Sequence, residues 1–237
     1  MGALIAECFA GNLVTMYLSF EFLTLTSMPL VLHERTKEAV AAGLKYLFYS
    51  VAGAMMGLLA IFFVYHFAGN PELFVYGGFL DPSKYTGAET VLLAAVLAGI
   101  VGFGAKAGMY PLHGWLPTAH PIAPAPASAL LSAMIAKGGV LAVVRLVYFS
   151  VGDQVLRGTW AQLAWMCLAT LTILMGSTMA FGEENLKKRL AYSTVSQISY
   201  IMLSLSLLTD AGLRGITIDT PGEYTQSKRV SHALCSI

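Results

Sequence analysis

The chain has 237 residues, of which 57% are hydrophobic and only 11% are charged. Soluble domains carry about 25% charged residues, so this composition excludes an ordinary soluble globular protein. The net charge is +1, and this balance excludes the strongly basic surface that nucleic-acid binding requires. The sequence therefore predicts an all-α protein that crosses a lipid bilayer several times.

A helix that crosses a bilayer needs about 20 largely apolar residues. About six segments meet this condition, and we predict that they form a polytopic transmembrane helix bundle. The polar loops between them are short, which indicates one membrane domain and no soluble domain. In chain order, the predicted spans are 12–32, 39–65, 90–106, 127–147, 160–181 and 190–208.

The third predicted span leads into a proline-rich stretch. Pro111 has no N–H to donate to the carbonyl of Ala107, so a regular helix cannot continue there. Broken helices at membrane depth occur where protein or a water-filled cavity satisfies the backbone, and they are frequent at ion sites. We therefore predict that prolines break this span. If residues 93–120 all lie at membrane depth, Lys106 is near the middle of that stretch.

Two short stretches, 33–37 and 187–189, are rich in basic residues. An even number of predicted spans separates them, so the positive-inside rule places both on the cytoplasmic side. The longer loop at 66–89 has Lys84 as its only Lys or Arg and is predicted to lie outside. Arg145, near the end of the fourth span, is expected to anchor at the outer interface.

Three ionisable residues, Glu21, Lys106 and Lys137, lie inside predicted spans. A charge in the middle of a span costs about 2.5–3.5 kcal/mol on insertion scales, so these residues call for a role. One acid and two bases in a low-dielectric interior favour a proton relay. The alternative interpretation is that each residue snorkels to the interface or belongs to a static structural pair.

Lys45, His113 and His120 are secondary candidates for the relay. Lys45 lies near the start of the second span, and it could equally snorkel to the cytoplasmic face. The two histidines flank the broken segment, where neutral imidazoles either relay protons or cap broken helix ends. Two histidines alone make a poor metal site, and the three cysteines form no CxxC pair. We therefore predict no metal and no cofactor in this chain, so any redox chemistry belongs to a partner.

The stretch 106–120, KAGMYPLHGWLPTAH, resembles the core of the proton-conducting antiporter-like membrane subunits. The stretch 186–197, LKKRLAYSTVSQ, is similar to a second signature of this family, and Ser19-Phe20-Glu21 matches its glutamate helix. These subunits occur in respiratory complex I as chains of the M, N and L kind, in Mrp-type Na⁺/H⁺ antiporters, and in energy-converting membrane hydrogenases. The resemblance covers residues 5–213.

The resemblance implies a role for each of the three buried charges. Glu21 would pair with the broken-helix lysine, here Lys106, and Lys137 would be the central lysine that follows on the proton path. Such subunits are not redox catalysts themselves; they couple electron transfer in a peripheral arm, or an ion gradient, to proton movement.

The family resemblance also implies a cellular setting. We expect a proton-translocating subunit of a complex I-like NADH dehydrogenase or a membrane hydrogenase complex. Other membrane and peripheral subunits would be its partners, together with the lipid bilayer of a prokaryotic plasma membrane. Two alternatives remain open, namely an Mrp-type cation/proton antiporter subunit that also moves Na⁺, and an inactive truncated fragment.

The ends of the chain depart from the family pattern. Full-length members are considerably longer and have several spans before the glutamate helix. Residues 1–11 carry Glu7 and no basic residue, which is not typical of a signal peptide, and we interpret them as a lead-in or the remnant of a preceding span. Residues 12–213 form the antiporter-like domain. Residues 214–237 are polar, and we expect a disordered or frameshifted tail.

Overall fold

The computed structural model describes residues 2–69 and 73–209, apart from the side chain of Pro82, and the regular secondary structure in this part is helical. The predicted tail at 214–237 lies outside the described residues. In chain order, the helices are α1 (Gly2–Phe9), α2 (Leu13–Val31), α3 (Lys37–Ala68), α4 (Pro82–Tyr85), α5 (Glu89–Ala107), α6 (Leu116–Ile122), α7 (Ala125–Leu130), π1 (Leu131–Ile135), α8 (Ala136–Val144), π2 (Arg145–Val151), α9 (Asp153–Leu156), α10 (Trp160–Gly182) and α11 (Leu186–Ser206).

Among the described residues, five stretches of helix are long and apolar enough to cross a bilayer. They are α2, α3, α5, the continuous run Ala125–Val151 and α10, and they match the first five predicted spans. The helix of the predicted sixth span, α11, has 21 residues but begins with Leu186-Lys187-Lys188-Arg189 and is less apolar. The predicted polytopic helical bundle is confirmed, with five candidate spans instead of about six.

The start of α2 is fixed by a cap. Asn12 Oδ1 accepts a hydrogen bond from the Thr15 N–H at 2.8 Å, and Thr15 Oγ1 accepts one from the Asn12 N–H at 3.3 Å. This reciprocal arrangement satisfies N–H groups that have no partner within the helix. It therefore stabilises the beginning of the helix that carries Glu21.

Helices α3 and α5 touch at two glycines. A Cβ atom on Gly102 would lie 2.3 Å from the carbonyl oxygen of Gly53, and one on Gly53 would lie 2.5 Å from the carbonyl oxygen of Gly102. Since real Cβ atoms do not approach this closely, only glycine fits at both positions. The two backbones are therefore in direct contact, as in many membrane helix pairs.

The predicted break in the third span begins at a glycine. Gly108 has a left-handed φ of 85°, and it ends α5 at Ala107. The Met109 N–H donates to the carbonyl of Gly104 at 2.8 Å, which is typical of a helix end with a left-handed glycine. The sequence predicted a break at Pro111, but the helix already ends at Ala107. The prolines lie in the segment that follows.

The loops lie at two opposite ends of the bundle. Helix α6 contacts the start of α3 through Lys45 Nζ, which donates to Thr118 Oγ1 at 3.0 Å. The same helix contacts the start of α11 through Lys187 Nζ, which donates to the carbonyl of Pro121 at 3.4 Å. The two basic stretches therefore share one end, which we call the inner end. Residues 73–80 hydrogen-bond to the backbone of π2 at the outer end.

Candidate functional site

Lys106 is buried in the last turn of α5, with 1% of its surface exposed. Its Nζ donates to the carbonyl oxygen of Phe20 at 2.7 Å and to Thr24 Oγ1 at 2.6 Å. It also lies 3.7 Å from the centroid of the Phe20 ring, and the face of an aromatic ring attracts a cation. A single turn of α2 therefore supplies a polar pocket for this amine.

Two carboxylates lie near this pocket. Glu21 is half-buried and directly follows Phe20 on α2, whereas Glu7 on α1 is fully buried. Both interact electrostatically with Lys106. None of the ion pairs among the described residues includes Lys106, so Glu21 acts on it at longer range than a contact pair. Such an interaction stays effective where the dielectric constant is low.

Lys137 is the second residue of α8 and is half-buried. Close to it, Gly139 approaches the end of α5: a Cβ on Gly139 would lie 2.7 Å from both the carbonyl oxygen of Phe103 and the N atom of Ala107. The turn of α8 that holds Lys137 therefore touches the turn of α5 that holds Lys106. The three residues that the sequence predicts as a relay lie on helices that contact one another, since α8 packs against α2 and α5, and Lys106 joins α5 to α2 by its hydrogen bonds.

The secondary candidates lie in or beside the broken segment. None of them contributes to the pocket around the Lys106 amine, which Phe20 and Thr24 form. Lys45 is exposed and bonds to α6, as described above. His113 is half-buried and stacks on Tyr110, with the ring centroids 5.8 Å apart. His120 is buried, and its Nδ1 lies 2.7 Å from Ser128 Oγ. Relay and helix capping both remain predictions for the two histidines.

A cavity of about 440 Å³, lined by both polar and apolar side chains, lies beside His120 at the inner end of the bundle. Polar cavities of this size hold water when several hydrogen-bonding groups face them. Water in this cavity would reach His120 from the end of the bundle that carries the basic stretches. The polar lining includes Ser128, Ser132, Lys187, Ser193 and Gln197.

A family model described as NADH:quinone oxidoreductase/Mrp antiporter, TM, matches residues 10–220. The chain belongs to this family. One similar protein is Hydrogenase-4 component B of Escherichia coli (strain K12), which is 31% identical over 226 residues, or 91% of this chain and 33% of that protein. Another is NADH-quinone oxidoreductase subunit N of Desulforudis audaxviator, which is 34% identical over 232 residues, or 98% of this chain and 43% of that protein. This chain thus spans less than half the length of either relative.

Two solved complexes contain a chain with the same fold as this family member. The Mrp complex from Dietzia sp. DQ12-45-1b matches with a TM-score of 0.74 and 22% identity, covering 98% of this chain and 23% of the matched chain. The archaeal membrane-bound sulfane sulfur reductase matches with a TM-score of 0.69 and 21% identity, covering 89% of this chain and 45% of the matched chain. The family resemblance predicted from the motifs is confirmed.

Sequence reasoning missed Glu7 as a residue of the site. Glu7 is the only charged residue among the first ten, and an isolated charge in an apolar stretch is the signal that identified Glu21. The apolar stretch around Glu7 is shorter than a membrane span, so from sequence this charge indicates only that residues 1–11 are not typical of a signal peptide. The structure places this carboxylate within electrostatic range of Lys106.

Arg145 also differs from its prediction. It was expected to anchor at the outer interface, but it is buried in the protein, with 7% of its surface exposed. Its guanidinium donates hydrogen bonds to the carbonyl oxygens of Cys8 and Ala10, and its Cζ lies 5.1 Å from the centroid of the Phe74 ring. Arg145 therefore binds the C-terminal end of α1 to π2, because these carbonyls have no partner within the short helix.

Proposed function

We propose that this chain is a proton-translocating membrane subunit of a complex I-like NADH dehydrogenase or a membrane hydrogenase complex. Glu21, Lys106 and Lys137 would form its proton relay. The observation that carries the proposal is the buried amine of Lys106, held by one turn of α2 next to Glu21. Ionisable groups inside membrane proteins are costly and mark ion pathways, which supports a transport role over a structural one.

The geometry suggests how the relay operates. As an ammonium, Lys106 is stabilised by its two hydrogen bonds and by the nearby carboxylates. When Glu21 is displaced or neutralised, this stabilisation falls, and Lys106 gives its proton to a neutral Lys137 on the touching turn. Lys106 is then a neutral amine, Lys137 is an ammonium, and the total charge is unchanged. A change of about 1.4 kcal/mol alters the proton equilibrium tenfold, so small movements suffice.

The names of the relatives support the proposed partners. NADH-quinone oxidoreductase subunit N and Formate hydrogenlyase subunit 3 are, by name, subunits of larger enzymes. We infer that this chain works with other membrane subunits and with peripheral subunits that carry out the electron transfer. The relatives come from bacteria such as Escherichia coli, which supports a location in a prokaryotic plasma membrane.

An Mrp-type cation/proton antiporter subunit is the second candidate function. The observation that favours it is the fold match to the Mrp complex, which covers nearly the whole chain. The two functions differ in what drives the protons. Proton movement that follows addition of an electron donor supports the first function, whereas proton movement driven by a Na⁺ gradient alone supports the second.

The proposed relay is tested in vesicles that contain the assembled complex with the full-length subunit. Lys106→Ala and Glu21→Ala should each lower the rate of proton movement by about 100-fold or more, since each removes a relay group. Lys84→Ala and Glu34→Ala, which remove exposed charges, should leave the rate unchanged. Normal proton movement in both relay variants, with normal amounts of assembled complex, would overturn the proposal.

A further inference from the structure

Glu7 is a buried acid to which the proposed relay gives no task. Its exposed fraction is 0%, and neither carboxylate oxygen has a hydrogen-bond partner among the described residues. Burying a polar group without a hydrogen bond costs free energy, and burying an unpaired charge costs far more. A group of this kind needs a nearby positive charge, or it must be able to hold a proton.

Glu7 acts electrostatically on Lys106 and lies against Gly138, the residue after Lys137. A Cβ on Gly138 would lie 2.9 Å from Glu7 Oε2, so the absence of a side chain at Gly138 makes room for the carboxylate. Gly138 directly follows Lys137. The residue after it, Gly139, contacts the end of α5 beside Lys106. Glu7 therefore lies against the turn at which the two lysine-bearing helices meet.

Two positive side chains act on Glu7, and they differ in chemistry. Lys106 and Arg145 both interact electrostatically with its carboxylate. Lysine can lose its proton in a protein interior, whereas arginine stays protonated. Arg145 also donates hydrogen bonds to the carbonyl oxygens of Cys8 and Ala10, the first and third residues after Glu7, so it holds the backbone that follows this acid.

We propose that Glu7 is a second proton-exchanging carboxylate, set between Lys106 and Lys137. In the first step, the Lys106 ammonium gives a proton to the Glu7 carboxylate, leaving a neutral amine and a neutral carboxylic acid. In the second step, this acid gives the proton to the neutral amine of Lys137, which restores the carboxylate and forms an ammonium. The permanent charge of Arg145 stabilises the carboxylate between the two steps. This inference rests on the proposed function as a proton-translocating subunit.

The test replaces Glu7 by glutamine in the assembled complex. Glu7→Gln keeps the size and shape of the side chain but cannot take up a proton. We expect the rate of proton movement in vesicles to fall about tenfold or more, because a proton-transfer group is lost. Glu7→Asp, which keeps the carboxylate, should retain a larger share of the rate. Glu34→Gln, at an exposed position, is the matched control and should leave the rate unchanged.

A structural role for Glu7 predicts a different pattern. If the side chain only fills space, Glu7→Gln moves protons at the original rate across the pH range, while Glu7→Ala does not. That pattern would overturn the role of Glu7. If Lys106→Ala abolishes proton movement in the same experiment, the proposed function is left intact. Should Glu7→Gln fail to assemble, Glu7→Asp provides the comparison, and an unchanged rate and pH profile in that variant would equally overturn the inference.

Infrared spectroscopy tests Glu7 even if the proposed function fails. The C=O stretching band of a protonated carboxylic acid should appear in pH-difference spectra of the complex. The Glu7 contribution to this band should disappear in Glu7→Gln and remain in Glu34→Gln. Identical spectra for Glu7→Gln and the original protein would show that this carboxylate does not exchange a proton, whatever the activity of the complex.

Discussion

At the scale of single residues, Trp115 stabilises the helix end that carries Lys106. Its indole Nε1 donates to the carbonyl oxygen of Ala105 at 2.8 Å, and its exposed fraction is 0%. Ala105 directly precedes Lys106, so this bond joins the segment after the break to the last turn of α5. Trp165 in α10 is equally buried, but its Nε1 has no hydrogen-bond partner among the described residues.

The two tryptophans form a matched pair for a stability measurement. Trp115→Phe and Trp165→Phe remove similar apolar area, but only the first breaks a buried hydrogen bond. We expect Trp115→Phe to lower the free energy of unfolding by about 1 kcal/mol more than Trp165→Phe does. Denaturant unfolding of the purified protein in detergent measures both values. Equal losses would show that the indole bond does not stabilise the end of α5.

The sequence predicts the charged residues of the candidate site better than their partners. Glu21, Lys106 and Lys137 stand out because a charge within an apolar run is costly. Thr24 and the carbonyl of Phe20 could not be identified this way. They contact Lys106 only because α2 and α5 pack together, and this contact joins residues that are distant in the sequence.

At the scale of helices, the glycine contact between α3 and α5 sets how closely they pack. Gly102→Ala would place a methyl group against the backbone of Gly53, which the helices can accommodate only by moving apart. We expect a loss of about 1–3 kcal/mol in the free energy of unfolding, although alanine favours a helix more than glycine does. Thermal or denaturant unfolding in detergent measures the change.

Gly182 provides the control for this substitution. It is the last residue of α10, and a Cβ there would have no other atom within 4 Å. Gly182→Ala should therefore leave the free energy of unfolding unchanged within about 0.5 kcal/mol. If Gly102→Ala were equally neutral, the contact between the two backbones could not be as tight as the structure shows.

Long apolar helices are predictable from sequence, whereas their interruptions are not. The first five predicted spans agree closely with the helices, because a helix lets a single apolar run satisfy its backbone hydrogen bonds within itself in a bilayer. The sequence predicted that Pro111 breaks α5. The helix instead ends three residues earlier, at Gly108, which has a left-handed φ. The π-helical segments π1 and π2 have no comparable sequence signal, since packing against neighbouring helices can widen a turn.

At the scale of the whole molecule, we expect the inner and outer ends to lie on opposite sides of the membrane. The basic stretches 33–37 and 187–189 share the inner end, which the positive-inside rule places in the cytoplasm. Cysteine labelling tests this orientation in a background whose three native cysteines are replaced by serine. The exposed residues Ser83 and Glu184 report on the outer and inner loops respectively.

We expect a membrane-impermeant thiol reagent to label the Ser83→Cys variant in intact cells. The Glu184→Cys variant should be labelled only after the cells are opened. Labelling of Glu184→Cys in intact cells, with Ser83→Cys protected, would reverse the orientation. It would also place the cavity beside His120 on the outer side.

The overall architecture was accessible from sequence because hydrophobicity and loop charge are properties of the chain alone. The position of α1 was not accessible, since it depends on Arg145 and Gly138, which come from distant parts of the sequence. The electrostatic interaction of Glu7 with Lys106 follows from that placement.

The two π-helical segments on either side of α8 have a consequence for the length of this part of the chain. Each wide turn accommodates one residue more than an α-helical turn would. Deleting one residue from π1 would convert it to ordinary α-helix, and Lys137 would keep its present neighbours because the wide turn absorbs the extra residue. A change of length within Ala125–Val151 is therefore accommodated at the π-helical turns, whereas each residue added to or removed from an α-helical turn rotates the rest of the helix by about 100°.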